Sequence, residues 1–158
     1  MFSRISVVIA LTITLLGSAA TTTLARDGEP SSSQTPLSTM GAVGTYFATV
    51  NAGAHTGNFT RLAAVVAPGA YLTRTDTLGR TTVYEDLSTI RNYYQVARAH
   101  RALSEVGIEE IHLLSSGVVI AYTKSDGPHG TVASRSAHVF IVRNGMIVRL
   151  DWVVLSGK

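Results

Sequence analysis

The hydrophobic period of this chain changes near its middle, and that change limits the folds open to it. Between Leu37 and Ala102, apolar residues recur every three or four positions, which is the period of amphipathic helices. From Val106 to Leu155 the period falls to two and β-branched residues become common, as in strands. Helices followed by a run of consecutive strands favour an α+β layer over alternating βαβ units.

Three helices are predicted in the first part. Ser38 or Thr39 can cap the first, Asn58 a short second helix that Pro68-Gly69 would stop, and Asp86 the third. All three carry apolar residues along one face. They would therefore bury that face against the sheet formed by the rest of the chain.

The second part is predicted to be a curved sheet. Asp126-Gly127-Pro128 and Asn144-Gly145 are typical hairpin turns. A sheet this long must curl to bury one face on only three helices, and the hollow that remains suits an apolar ligand. The predicted fold is thus a cone-shaped, curved antiparallel sheet wrapped around three N-terminal helices. The expected strands span 70–76, 106–114, 118–125, 131–143 and 146–155.

The first 25 residues match a secretory signal peptide. Arg4 precedes an apolar run over 7–16, which is too short for a comfortable membrane span, and small residues follow it. Cleavage is expected after Ala20 or Ala25, and no cysteine follows that could carry a lipoprotein anchor. We expect a secreted or periplasmic protein without a membrane anchor after cleavage; an uncleaved signal anchor is the alternative. It would consist of a flexible tether over 26–36 and one domain over 37–158.

Composition excludes several classes of site and partner. The chain has no cysteine, so a thiolate zinc site and disulfides are excluded. Its 5 histidines lie in different predicted elements without the spacing of a helical metal pair, and no metal site is expected. No glycine-rich phosphate loop occurs, and no cofactor is expected. The net charge of +3 is spread along the chain without a concentrated patch, so no nucleic-acid partner is expected.

Four stretches of the chain carry a family resemblance through their order and spacing; they span 46–51, 58–70, 90–94 and 137–148. They resemble the NTF2-like superfamily, which includes SnoaL-like polyketide cyclases and ketosteroid isomerases. The resemblance implies a cone-shaped α+β barrel. Its implication for function is broad, because this fold carries isomerases, dehydratases, cyclases, epoxide hydrolases and non-catalytic binders.

Residue by residue, the resemblance implies a modified isomerase site. Tyr46 matches the tyrosine that binds the developing oxyanion, and His138 stands where isomerases have a protonated acid beside it. The position of the catalytic aspartate falls on or next to Arg74, with Asp76 two residues later. A ketosteroid isomerase itself is therefore not expected.

The surroundings of His138 depend on the register of the last hairpin. A two-residue turn at Asn144-Gly145 places His138 opposite Asp151, as for a general base oriented by a carboxylate. A three-residue loop with a bulge instead places it opposite Leu150, beside Trp152, with Asp151 on the other face. The resemblance favours the second register, since it puts position 138 in the cavity. A hydrogen-bonded structural histidine is the alternative.

These observations predict a domain that binds a small apolar molecule in its cone. It would act by proton transfer without a cofactor, as an isomerase, dehydratase or cyclase, or else be a non-catalytic binding or assembly domain that forms a homodimer through the sheet. The predicted catalytic residues are His138 as acid or base, Tyr46 as oxyanion donor, and Asp76 or Asp151 as the orienting carboxylate. The predicted ligand contacts are Phe47, Arg74, Tyr94, Phe140 and Trp152.

Overall fold

The structure of the chain, a computed structural model, describes residues 37–126 and 133–157. The predicted signal peptide and tether, over 1–36, lie outside the described residues. So do Gly127 and Pro128 of the first predicted hairpin turn. These features stay predictions.

The first predicted helix, α1, spans Thr39–Thr56. It begins at the cap Ser38, whose Oγ accepts a hydrogen bond from the backbone N–H of Gly41 at 3.0 Å. It ends at Gly57, whose φ of 79° is the left-handed conformation that commonly terminates helices. The buried face carries the apolar residues that define the predicted period, among them Val43, Phe47 and Val50.

The second predicted helix is only a 3₁₀ helix, Thr60–Ala64. Pro68-Gly69 does not stop a helix, because strand β1, Val66–Thr75, has already begun. Helix α2 spans Asp86–Ala99, and the Asp86 carboxylate accepts from the backbone N–H of Thr89 at 2.8 Å, as a cap does. Two α-helices and one 3₁₀ helix thus replace the three predicted α-helices.

The described strands form one six-stranded sheet, ordered β2-β1-β6-β5-β4-β3. The α+β class with a curved sheet is confirmed, but the sheet is mixed because β1 runs parallel to β6. Strand β2 was not predicted, since this short edge strand is polar and shows no alternating burial. The remaining strands are β2 Thr81–Glu85, β3 Val106–Ser115, β4 Val118–Asp126, β5 Ala133–Arg143 and β6 Met146–Gly157.

Both helices pack on the concave face of the sheet, and polar side chains tie α1 to β3 and α2 to α1. Asn51 of α1 donates to the carbonyl of Val106 and accepts from its N–H, both at 2.9 Å. Arg98 of α2 donates to the carbonyls of Ala54 and His55 at 3.1 Å, where the last turn of α1 leaves acceptors unpaired. Neither helix in the described part is long and apolar enough to cross a membrane.

The last hairpin follows neither predicted register along its whole length. Its tip is a two-residue turn in which Asn144 and Gly145 have φ of 51° and 74°, as in a type I′ turn. Val148 is then an extra residue in β6, so His138 lies opposite Trp152. The favoured three-residue loop was therefore wrong. The bulge at Val148 nevertheless puts His138 and Trp152 on the concave face and Asp151 on the convex face.

We predict opposite effects for two alanine substitutions in α1. A Cβ on Gly53 would lie 2.2 Å from the ring of Phe59, a fully buried side chain. Gly53→Ala must displace that ring and should lower the free energy of unfolding by about 1–3 kcal/mol. A Cβ on Gly44 meets nothing within 4 Å, so Gly44→Ala should raise it by roughly 0.5–1 kcal/mol. Denaturant unfolding measures both, and a stabilising Gly53→Ala would contradict the described packing.

Candidate functional site

A cavity of about 720 Å³ lies between α2 and the concave face of the sheet. Its volume falls within the range of small-molecule sites in proteins. Helix α2, the segment after it and all six described strands contribute to its wall. The lining residues are Arg74, Tyr84, Thr89, Asn92, Tyr93, Val96, Ala97, His100, Ala102, Leu103, Ser104, Val106, Ser125, Ser134, Ser136, Trp152 and Val154.

Arg74 and Trp152 occupy neighbouring positions in this wall. They are partners in the parallel pairing of β1 with β6, and the Arg74 guanidinium carbon lies 5.1 Å from the centroid of the indole ring. A guanidinium over an indole is held by the ring's electron-rich face. The structure thus brings these two predicted ligand contacts together at the cavity.

His138 lies beneath Trp152 rather than in the cavity wall. The two rings stack at a centroid distance of 5.3 Å, and His138 is only 4% exposed. Its Nε2 shares a hydrogen bond of 3.0 Å with Oγ1 of Thr123, whereas Nδ1 has no partner among the described residues. Burial lowers the pKa of His138 to about 3, so the ring is neutral at physiological pH.

Tyr46 and Tyr94 are fully buried and lie outside the cavity wall. Their hydroxyls are hydrogen-bonded to each other, and burial raises the pKa of both. Phe47 and Phe140 pack against Tyr46 ring edge to ring face. Three predicted ligand contacts, Phe47, Tyr94 and Phe140, therefore lie in the hydrophobic core together with the predicted oxyanion donor.

Asp76 lies in the turn after β1, and both oxygens of its carboxylate accept hydrogen bonds within that turn. Its Oδ1 accepts from the backbone N–H groups of Leu78 and Arg80, and its Oδ2 accepts from the Arg80 guanidinium at 2.7 Å. The hydrogen bond from the Arg80 backbone is the main reason that the pKa of Asp76 is lowered. The carboxylate contacts neither the cavity nor His138.

Asp151 is on the convex face, where it joins β6 to β1. Its Oδ1 accepts from Oγ1 of Thr73 at 2.6 Å, and its Oδ2 accepts from Nε of Arg149 at 2.7 Å. That hydrogen bond and the attraction of the carboxylate raise the pKa of Arg149. Because the sheet separates Asp151 from His138, it does not orient the imidazole.

Sequence reasoning missed most of the cavity wall. Tyr84 and Tyr93 form an aromatic pair with centroids 4.5 Å apart, and burial raises the pKa of Tyr93 to about 12. Three serines of β4 and β5 supply hydroxyls to the wall, and those of Ser125 and Ser134 are hydrogen-bonded at 2.6 Å. One signal was present: Ser134, Ser136 and His138 alternate along one face of β5.

The wall can bind a molecule, and its one imidazole is that of His100. It otherwise combines the rings of two tyrosines and a tryptophan, several aliphatic side chains, hydroxyls, one amide and one arginine, and no carboxylate lines it within residues 37–125 and 134–156. Over the same ranges, no three His, Asp or Glu side chains are grouped as metal ligands would be. Apolar area with a few placed donors is the usual make-up of a small-molecule site.

We predict that the buried His138 makes the free energy of unfolding depend on pH. Its pKa of about 3 in the folded state is below the usual 6.5, so at intermediate pH the unfolded chain binds a proton that the folded protein does not. Stability from the neutral ring is complete above pH 6.5 and is lost as the pH falls towards 3. Between pH 7 and pH 5 this loss amounts to about 2 kcal/mol.

The variant His138→Gln lacks this titration. The unfolding free energy of the wild type minus that of the variant should therefore fall by about 2 kcal/mol when the pH is lowered from 7 to 5. Denaturant unfolding at the two pH values measures it. A difference that does not change with pH would mean that the folded protein also protonates His138.

Comparison with known proteins gives a clear result for the fold. No protein-family model matches the sequence, and no curated protein matches it. Solved structures do match. A SnoaL-like polyketide cyclase candidate from Jannaschia sp. CCS1 is 15% identical with a TM-score of 0.61, covering 83% of this chain and 92% of that one.

Two further structures agree with it. An NTF2-like protein of unknown function from Cytophaga hutchinsonii is 9% identical with a TM-score of 0.57, covering 77% of this chain and 93% of that one. A polyketide cyclase candidate from Sinorhizobium meliloti is 16% identical with a TM-score of 0.55, covering 70% of this chain and 92% of that one. Together with the curved sheet and its two helices, these likenesses confirm the resemblance at the level of the fold: the chain has the NTF2-like fold.

Proposed function

We propose that the chain binds a small, mainly apolar molecule in the cavity between α2 and the sheet. The observation that carries this proposal is the cavity of about 720 Å³ with Tyr84, Tyr93 and Trp152 in its wall. Aromatic rings offer large, rigid contact area to a flat ligand. The few hydroxyls among them would orient the ligand.

The names of two structural neighbours support a ligand of this kind. Both are described as polyketide cyclase candidates. The likeness extends to the fold only, so it supports the class of ligand by analogy. We also propose that the chain is exported by residues 1–25, so the ligand would be met outside the cytoplasm.

A variant with a blocked cavity tests the proposal. Binding is measured with phenylnaphthylamine, a neutral apolar probe whose fluorescence rises when it moves from water into an apolar site. Ala97 of α2 lines the cavity, and Ala99, two residues on, is exposed and does not. Ala97→Trp should weaken probe binding at least tenfold, because the indole occupies the site. Ala99→Trp is the matched control and should bind like the wild type.

Thermal unfolding of both variants checks that they are folded. If the folded wild type does not bind the probe, or if both variants bind it equally, ligand binding in this cavity is contradicted.

Proton transfer is a second candidate, which one observation favours. Nδ1 of His138 is buried without a partner among residues 37–126 and 133–157, and its ring stacks on Trp152 of the cavity wall. The neutral imidazole can accept a proton, although its lowered pKa of about 3 makes it a weak base at neutral pH. Trp152 would have to rotate aside for a substrate to reach that nitrogen.

A β,γ-unsaturated ketone tests this candidate, since its isomerisation to the conjugated ketone is seen by ultraviolet absorbance. We expect turnover in the wild type and at least a hundredfold loss of kcat in His138→Gln. Equal rates in the two proteins would exclude His138 as the base.

Assembly into a homodimer remains a proposal as well. The convex face presents Tyr122, Val153 and Leu155, each at least one-third exposed, and Tyr122 and Val153 both pair with Ala137 between them. A second copy would cover these side chains. Light scattering should show a dimer of the wild type at micromolar concentration and a monomer of the Val153→Asp variant. A monomeric wild type would overturn the homodimer proposal.

A further inference from the structure

The charged groups in the cavity wall are unbalanced. Arg74 lines the cavity, and no aspartate or glutamate within residues 37–125 and 134–156 does. The wall is otherwise mostly apolar and aromatic. A permanently charged guanidinium therefore lies in a mainly apolar wall without a carboxylate from those residues beside it.

Arg74 also differs from the other arginines that pack against the protein. Arg149 is bonded to Asp151, Arg80 to Asp76, and Arg98 to two backbone carbonyls. Arg74 has no hydrogen bond or ion pair with any described residue, and its contact is with the indole face of Trp152. Cation–π contact leaves the in-plane N–H donors of the guanidinium unused.

Two enclosed N–H groups at this point lack acceptors. Nε of Arg74 and Nε1 of Trp152 are both buried and unpartnered among the described residues. Both are donors only. Since buried polar groups are nearly always hydrogen-bonded, the absent partner is an acceptor. Next to an uncompensated cation, an acceptor that carries negative charge binds more strongly than a neutral one.

We propose that the ligand of this cavity is an apolar, ring-containing molecule with an anionic group, a carboxylate or a sulfonate, and that Arg74 binds that group. The proposal rests on the proposed ligand-binding function and names its substrate class. The ring system would lie against Tyr84, Tyr93 and Trp152, with the acidic group at the Arg74 end. Arg74 then acts as the residue that selects acids over neutral molecules.

The replacement noted in the sequence agrees with this assignment. Arg74 falls on or next to the position where the resemblance implies a catalytic aspartate. A negative group there would repel an anionic ligand, whereas a guanidinium attracts it. The same position thus favours acid binding over proton abstraction.

A matched pair of probes tests the proposal. Anilinonaphthalene sulfonate and phenylnaphthylamine share one ring skeleton and differ by the sulfonate. The wild type should bind the sulfonate about tenfold to a hundredfold more tightly, the ratio expected for one charged hydrogen-bonded contact. Arg74→Gln, which keeps N–H donors but removes the charge, should abolish that preference. Arg74→Lys, which keeps the charge, should retain most of it.

Arg143→Gln is the control, since it removes an exposed arginine at the tip of the β5–β6 hairpin, away from the cavity wall. It should leave the preference unchanged. If all proteins bind both probes equally, or if Arg74→Gln keeps the preference, the anion proposal is overturned while ligand binding stands. If neither probe binds the folded wild type, the proposed function fails and this proposal fails with it.

Discussion

One extra residue in the last strand determines which side chains the cavity receives. Side chains alternate between the two faces of a strand, so a shift of one position exchanges the faces completely. Without the bulge at Val148, Asp151 would face His138 and Trp152 would point to the convex side. With it, the indole lies between Arg74 and the imidazole, and the carboxylate bonds to Arg149 outside. The chemistry of the concave face depends on this bulge.

Along the strands, the concave face of the sheet is covered by the hydrophobic core at one end and opens into the cavity at the other. Where α1 covers the sheet, Tyr46, Phe47 and Phe140 fill the space, and the polar atoms among them are paired within the core. Towards the far end of β5 the side chains shrink to Ser136 and Ser134, and the space beneath α2 stays open. Trp152 lies at the boundary, with a buried histidine on one side and the cavity on the other.

Much of the fold could be predicted from local patterns. The cap at Ser38, the stripe of α1 and the turn at Asn144-Gly145 depend on nearby residues, and the sequence carries them directly. The parallel pairing of β1 with β6 joins residues almost eighty positions apart, which no local period encodes. The polar strand β2 has no alternation to detect.

The site was less predictable for a related reason. Periodicity identifies which side chains share a face, but it left the register of the last hairpin open, and Arg74 was singled out only by the resemblance. Periodicity also does not say how far along the strand the helices cover that face. Tyr46 of α1 therefore lies in the core and His138 lies against the indole of Trp152, whereas Tyr93, one position from the buried Tyr94, reaches the cavity.

The position of β6 has a consequence for when this chain can fold. It is the last of the described strands in sequence, yet it lies between β1 and β5 inside the sheet. Until it is made, β1 and β2 have no contact through the sheet with β3, β4 and β5, and the concave core cannot close. The two parts of the sheet must therefore wait for β6 before they join, and the contacts that join them are distant in sequence.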